Sequence, residues 1–286
     1  MKINKKIKIL DFKLSKILNW WLFWAYKSRF TWNWMEFAEH KEYHFWDHVK
    51  DIDWKASSKT DNMFVKKYEE ERDLNVLFVL DNTESMQFWS QDKTKHELLE
   101  EVFYSLWLSA YYNNDNIWWL VLNNNDLKFI DYKKSRNNIY KILDILESNN
   151  KNNITVENKV NKVLSYILER QIKDNLIFIL TDETDDIDKK LLKLVWSRNE
   201  IVFINIFDVF ENELFDENVD ITLNSWNSFM GISLEKNKLQ KYINLRERKI
   251  ELLKENFNRN NIWYIDIDTS SDIFSKLIWY FSKINK

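Results

Sequence analysis

Asn75-Val-Leu-Phe-Val-Leu-Asp-Asn-Thr-Glu-Ser-Met86 is the stretch from which the architecture of this chain is read. After Asn75 the run to Leu80 is apolar without alternation, the pattern of a strand covered on both faces. It stops at Asp81, and oxygen-bearing side chains follow at once. In open α/β sheets, ligands bind outside the carboxyl ends of strands where the strand order reverses. Asp81, Thr83 and Ser85 place one carboxylate and two hydroxyls in a single turn at such an end. Asn175 to Leu180 is a second run of the same kind, and it closes in Thr181-Asp182. Asp182 can therefore add a carboxylate to the same end of the sheet, directly or through water. Hard oxygen donors in this grouping suit Mg²⁺, which keeps several waters and takes its remaining ligands from a partner.

Working outward, apolar runs alternate with amphipathic helical segments. Helices are expected over Thr94–Tyr112, Asn137–Glu147, Val156–Gln171, Lys189–Trp196, Leu234–Asn258 and Asp272–Lys283. Strands are expected over Ile117–Leu122, Ile201–Phe207 and Trp263–Ile267. That alternation predicts an α/β fold with a doubly wound, mostly parallel sheet over residues 73–286. Residues 1–72 break the rhythm. Met63–Tyr68 reads as a strand, and the rest from Ala25 is polar and aromatic without a period, an accessory segment on the main domain.

Composition narrows the function. The hydrophobic content of 45% with 30% charged residues is that of a soluble globular protein. A net charge of −3 gives no pull toward nucleic acid. The Lys-rich start, Met1 to Lys16, reads as a solvated lead-in. The absence of cysteine removes disulfides, zinc-thiolate sites and thiol catalysis. The early apolar cluster Ile17–Tyr26 is shorter than the ~20 residues that span a bilayer, and no signal-peptide cleavage pattern follows it. No membrane insertion is expected, and the expected location is cytoplasmic.

One feature is anomalous: a single glycine, Gly231, no proline and 15 tryptophans. Turns and helix C-caps ordinarily draw on glycine for φ > 0. Trp32, Trp34, Trp89 and Trp226 stand among Ser, Asn and Thr, which is turn company. Most of these tryptophans are therefore read as glycines from a genome that translates UGA as glycine. The competing reading is a truly Trp-rich protein with aromatic binding surfaces.

Asp81-x-Thr83-x-Ser85-Met86 after a strand, with Leu180-Thr181-Asp182 later, resembles the metal-ion-dependent adhesion site of von Willebrand factor A domains. The resemblance implies metal ligands at Asp81, Thr83, Ser85 and Asp182, with Thr83 replacing a usual serine. It also implies a threonine from the loop after the second sheet strand. There Asp131–Asn138 offers only Ser135, so the adhesion site is degenerate. The N-terminal segment resembles the signature of the prokaryotic domain of unknown function 58 family. Trp32-Asn-Trp34-Met-Glu36-Phe37, Lys41-Glu-Tyr43, Trp46-Asp47, Ile52-Asp53-Trp54 and Ser58-Lys59-Thr60 carry that likeness. Trp32, Trp34 and Trp46 fall on the family's glycines and Trp54 on its genuine tryptophan, which places Trp54 in a buried apolar pocket. Lys41, Lys50 and Lys59 replace favoured arginines, losing bidentate contacts. Asp208-Val-Phe-Glu211 resembles the family's Asp-Pro-x-Glu.

Three other patterns invite chemistry. His40, His44 and His48 recur every four residues, a zinc spacing if they share a helix, and are better read as solvated or structural. Asp266-x-Asp268 imitates aspartyl-phosphate phosphatases but lacks their context. Thr184-Asp185-Asp186 reads as a helix N-cap followed by favourably placed acids. The function expected is that of a protein-binding adaptor, not an enzyme. The family resemblance implies a MoxR-type AAA+ ATPase as partner in chaperone-like assembly of protein complexes. The alternative is a Mg²⁺-dependent phosphoryl-transfer hydrolase using Asp81 and Asp182, for which no phosphate-cradling loop or general base is in evidence.

Overall fold

The run at Asn75 becomes a central strand of the molecule, where helices cover both of its faces. The structure, a computed structural model, describes residues 36–58, 62–69, 74–88, 93–123, 126–130, 137–147, 158–182, 187–209, 220–225, 228–233 and 236–283. Six strands form the main sheet: β3 (Asn75–Asp81), β4 (Asn116–Leu122), β5 (Leu127–Ile130), β6 (Leu176–Thr181), β7 (Glu200–Phe207) and β10 (Trp263–Asp268). Their spatial order is β10-β7-β6-β3-β4-β5. All pairs are parallel except β4 with the edge strand β5. Two hairpins stand apart from this sheet, β1 (Glu36–Glu42) with β2 (Phe64–Glu69) and β8 (Asp220–Ser225) with β9 (Ser228–Ser233).

Helices cover the sheet on both sides, as continuous apolar strands require. On one face Val76, Phe78 and Leu80 pack with α2 (Lys95–Tyr112), α3 (Asn137–Glu147) and α7 (Ile273–Lys283). On the other, Leu77 and Val79 meet α4 (Lys159–Glu169), α5 (Lys189–Trp196) and Phe257 of α6 (Lys236–Arg259). The alternate residues of β3 thus enter two separate cores. Phe78 stacks on Phe178 at 5.3 Å, tying the two central strands across the first core. Val76–Leu80 and Leu176–Leu180 are buried throughout, as their unbroken apolar character predicts.

The dearth of glycine is met by other residues. Among the described residues, the non-glycine positions at positive φ are Asn114, Asn158, Gln171, Asp174 and Asn261, and no tryptophan is among them. Three of the five end helices in the same way. Asn114, Gln171 and Asn261 follow α2, α4 and α6, and the next N–H reaches back five residues: Asp115 to Ala110, Ile172 to Ile167, Ile262 to Phe257. This is the left-handed cap that glycine usually supplies, with amide side chains in its place.

The tryptophans divide differently from expectation. Trp107 and Trp119 lie fully inside the core, and Trp46 is on an exposed turn. Trp54 is 63% exposed, which corrects its placement in a buried pocket. It is the first residue of α1 (Trp54–Ser57), a single turn capped by the Asp53 carboxylate through Lys55 N and Ala56 N. A residue at the start of so short a helix has no neighbouring turn to cover it. Trp32, Trp34, Trp89 and Trp226 lie outside the described residues, as do Ser135 and the Thr184-Asp185-Asp186 run. Sequence periodicity also missed β1, β5 and the β8–β9 hairpin, which are short or polar and at sheet edges.

Asp266 and Asp268 of β10 serve the fold. Asp266 accepts from Asn205 Nδ2 at 2.8 Å and pairs with Lys254 at 2.6 Å. Asp268 Oδ1 accepts from Ser270 N and Oγ, and its Oδ2 from Ser271 Oγ and Lys276 Nζ. These bonds close the turn into α7. Burial opposes ionisation of Asp268, but the Lys276, Ser270 and Ser271 hydrogen bonds outweigh it and hold the carboxyl well below the usual range. A depressed folded-state value contributes stability above the free-carboxylate pKa of about 3.9 that is lost as pH falls toward the folded value. Urea titrations between pH 5 and pH 3 should therefore show a steeper acid loss in the wild type than in Asp268→Asn.

Candidate functional site

β3 is the strand at which the order reverses. From it the chain proceeds to β4 on one side, then returns to place β6 on the other. The crevice at the carboxyl ends of β3 and β6 is the switch point. In register Leu80 lies beside Leu180, so Asp81 and Thr181 finish at the same level.

The four residues read as ligands converge there. Asp81 Oδ1 accepts from Thr83 N at 3.0 Å and Thr83 Oγ1 at 2.6 Å. Thr83 Oγ1 and Ser85 Oγ are 3.1 Å apart, and Ser85 Oγ donates to Asp182 Oδ1 at 3.1 Å. Thr83 leads into one turn of 3₁₀ helix, Glu84–Gln87, whose buried Met86 pins the loop to the core. The aspartate-hydroxyl turn and its anchoring methionine are therefore one local unit.

Two lysines and a threonine complete the cluster. Lys159 Nζ donates to Ser85 Oγ at 2.7 Å, Asp182 Oδ1 at 2.9 Å and Asp81 Oδ2 at 3.1 Å. Lys95 Nζ donates to Asp182 Oδ2 at 2.8 Å. Thr181 Oγ1 donates to Asp81 Oδ2 at 2.7 Å. Asp81 thus accepts four hydrogen bonds, the full complement of a carboxylate. Asp81, Lys95 and Lys159 are buried.

Electrostatics follow from that geometry. Burial works against the charged form of Lys159, but the carboxylates of Asp81 and Asp182 prevail and hold the ammonium above its ordinary range. Burial likewise opposes ionisation of Asp182. The charges of Lys95 and Lys159, with their hydrogen bonds, nevertheless keep it well below the usual carboxylate range.

Lys95 and Lys159 escaped the sequence reading, although one signal was present. Each is the first residue of its helix, α2 and α4. A cation at a helix N-terminus faces the positive end of the dipole and is disfavoured unless something pays for it. Here the strand-end carboxylates do. Asn158, at φ 56°, turns the chain so that Lys159 enters the crevice. Asn82, next to Asp81, bonds to Asn123 Oδ1 and to the buried His96 ring, fixing the loop from the opposite side.

The residues present do not fit a bound Mg²⁺ in this arrangement. A metal needs lone pairs converging at about 2.0–2.1 Å, whereas those of Asp81, Ser85 and Asp182 that face the centre are directed at an ammonium. Of the other candidates, His44 and His48 lie on exposed loop and His40 in β1, so the three do not share a helix. Among the described residues no group of three His, Cys, Asp or Glu side chains is placed to hold a metal. Asp208, buried at the end of β7, accepts from Thr269 Oγ1 at 3.3 Å, while Phe210 and Glu211 lie outside the described residues.

A doubly wound, mostly parallel sheet with an aspartate-hydroxyl turn at its switch point is a von Willebrand factor A-like fold. The chain belongs to the family described as Protein of unknown function DUF58, whose family model matches residues 39–248. Solved structures give distant likenesses. The conserved hypothetical protein BatB from Bacteroides thetaiotaomicron is 13% identical, covering 74% of this chain and 98% of its own, with a TM-score of 0.43. An aerotolerance-related membrane protein from Bacteroides fragilis, with multiple mutations to serines, is 15% identical over 73% and 99%, with a TM-score of 0.43. An uncharacterized membrane spanning protein from Vibrio fischeri is 11% identical over 75% and 100%, with a TM-score of 0.24. No curated protein matches the chain.

These likenesses correct the expected cytoplasmic location. Two of the three similar structures are described as membrane proteins. That no described helix is long and apolar enough to cross a membrane assigns no compartment.

Removing the central ammonium should be costly, because it leaves two buried carboxylates facing one another. Lys159→Met is expected to lower the unfolding free energy by about 3–5 kcal/mol, read as a fall in the urea midpoint at unchanged slope.

Proposed function

We propose that this chain is a protein-binding adaptor whose contact face is the strand-end surface around Asp81, Ser85 and Asp182. Its partner on this reading is a MoxR-type AAA+ ATPase, with which it acts in chaperone-like assembly of protein complexes. The observation that carries the reading is the mutual saturation of the polar groups at the switch point. Asp81 accepts four hydrogen bonds and Asp182 three, all from the protein itself. Groups committed to one another in this way shape a preorganised surface, and preorganisation favours binding because little is ordered on contact. A general base, by contrast, must be able to take up a proton near working pH, and Asp182 is held far from that condition.

A second feature agrees with a binding role. Phe45, Trp46, Val49 and Trp54 are all exposed within the short segment between β1 and β2. Large exposed apolar side chains grouped in one region are characteristic of protein contact surfaces. The hydrolase alternative would require Asp81 and Asp182 to share a metal, and Lys159 lies between them. The partner is expected to be the MoxR-type ATPase of the same organism. Sedimentation of the two purified proteins, alone and mixed with ATP, should show a joint species. Asp182→Ala should weaken it while Arg170→Ala, on the far end of α4, should not. The absence of any joint species, or turnover of p-nitrophenyl phosphate that requires Mg²⁺ and is lost in Asp182→Ala, would count against an adaptor.

A further inference from the structure

The cluster at the ends of β3 and β6 has the oxygen donors of a divalent-cation site, and an ammonium lies at its centre. Lys159 Nζ is within 3.1 Å of one oxygen from each of Asp81, Ser85 and Asp182. An ammonium has three N–H donors, and these three oxygens come from three of the four residues whose pattern suggests metal ligation. The charges also balance. Asp81 and Asp182 contribute two carboxylates, Lys95 and Lys159 two ammoniums. A divalent ion entering this volume would meet two cations already in place, and Lys159 would have to leave a buried position.

We infer that Lys159 is a built-in replacement for the metal ion, so that this site is assembled without any divalent cation. The ammonium links the β3 turn to the loop after β6, as a metal would by ligating both. It does so with hydrogen bonds near 3 Å, without short coordination bonds and without an open coordination position. A partner therefore meets this face through its surface shape and hydrogen bonds, and a bridging metal plays no part. The placement of Lys159 as the first residue of α4, after the left-handed Asn158, directs a four-carbon stem into the crevice. A threonine at the same position would withdraw that stem, leave the three oxygens facing an open centre and add a hydroxyl at its rim. The inference holds whichever partner the face takes, so it stands or falls apart from the adaptor reading.

Titration of the whole protein with Mn²⁺, followed by electron paramagnetic resonance and calorimetry, tests it directly. The wild type should take up no stoichiometric Mn²⁺, and its melting midpoint should be the same with EDTA as with Mn²⁺ or Mg²⁺. Lys159→Thr should melt lower than wild type in EDTA, bind one Mn²⁺ per chain and regain melting temperature as Mn²⁺ is added. Adding Asp182→Asn to that variant should abolish the uptake. Stoichiometric uptake by the wild type, a wild-type midpoint that falls in EDTA, or a folded Lys159→Thr chain that takes up none would each overturn the inference. Should Lys159→Thr and Lys159→Ser both fail to fold with and without Mn²⁺, the wild-type titration decides alone.

Discussion

Two buried carboxylates at the adjacent ends of parallel strands form an arrangement that needs a cation, and much of this molecule is organised around supplying one. β3 and β6 are central strands buried on both faces, and their pairing in register carries Asp81 and the Thr181-Asp182 step to one level. Taken from water without a partner, each carboxylate would cost several kcal/mol. Lys159 and Lys95 meet that cost from two different helices, one packed on each face of the sheet. The ion pairs therefore link the two helical layers through the strand ends.

The same arrangement explains why the turn after β3 is so regular. Thr83 closes back on Asp81 through its own N–H and hydroxyl, and Met86 seals the loop into the core. Ser85 then serves as the meeting point of the turn, Lys159 and Asp182. Buried polar networks of this kind specify one geometry because a half-satisfied version is worse than none.

Scarcity of glycine deprives a fold with so many turns of its usual source of left-handed backbone. The described turns solve the problem with asparagine, glutamine and aspartate at left-handed positions, most of them directly after helices. Short amide side chains tolerate that conformation better than branched or aromatic ones. The buried Trp107 and Trp119 and the exposed Trp46 and Trp54 show that tryptophan here has no single structural role.

The elements of the main sheet were legible in the sequence because burial on both faces leaves an unmistakable trace. The runs at Val76–Leu80 and Leu176–Leu180 are apolar at every residue, and α3 and α4 between them follow a 3.6-residue period. Asp81, Thr83, Ser85 and Asp182 were legible for a related reason: they stand immediately where those runs stop. β1, the short edge strand β5 and the β8–β9 hairpin were not, since a strand that is polar or half-exposed leaves no such pattern, although Met63–Tyr68 did mark β2. Trp54 was misplaced because a motif carries residue identity but not what lies beside it in space. Lys159 was beyond reach of any linear reading. It lies 78 residues from Asp81 in the chain, and only the right pairing of β3 with β6, with α4 packed across them, brings its ammonium between the two carboxylates. The strand-end chemistry was a property of local sequence. That a lysine lies between the two carboxylates was decided by long-range packing, since charge compensation depends on distance in space and is blind to distance along the chain.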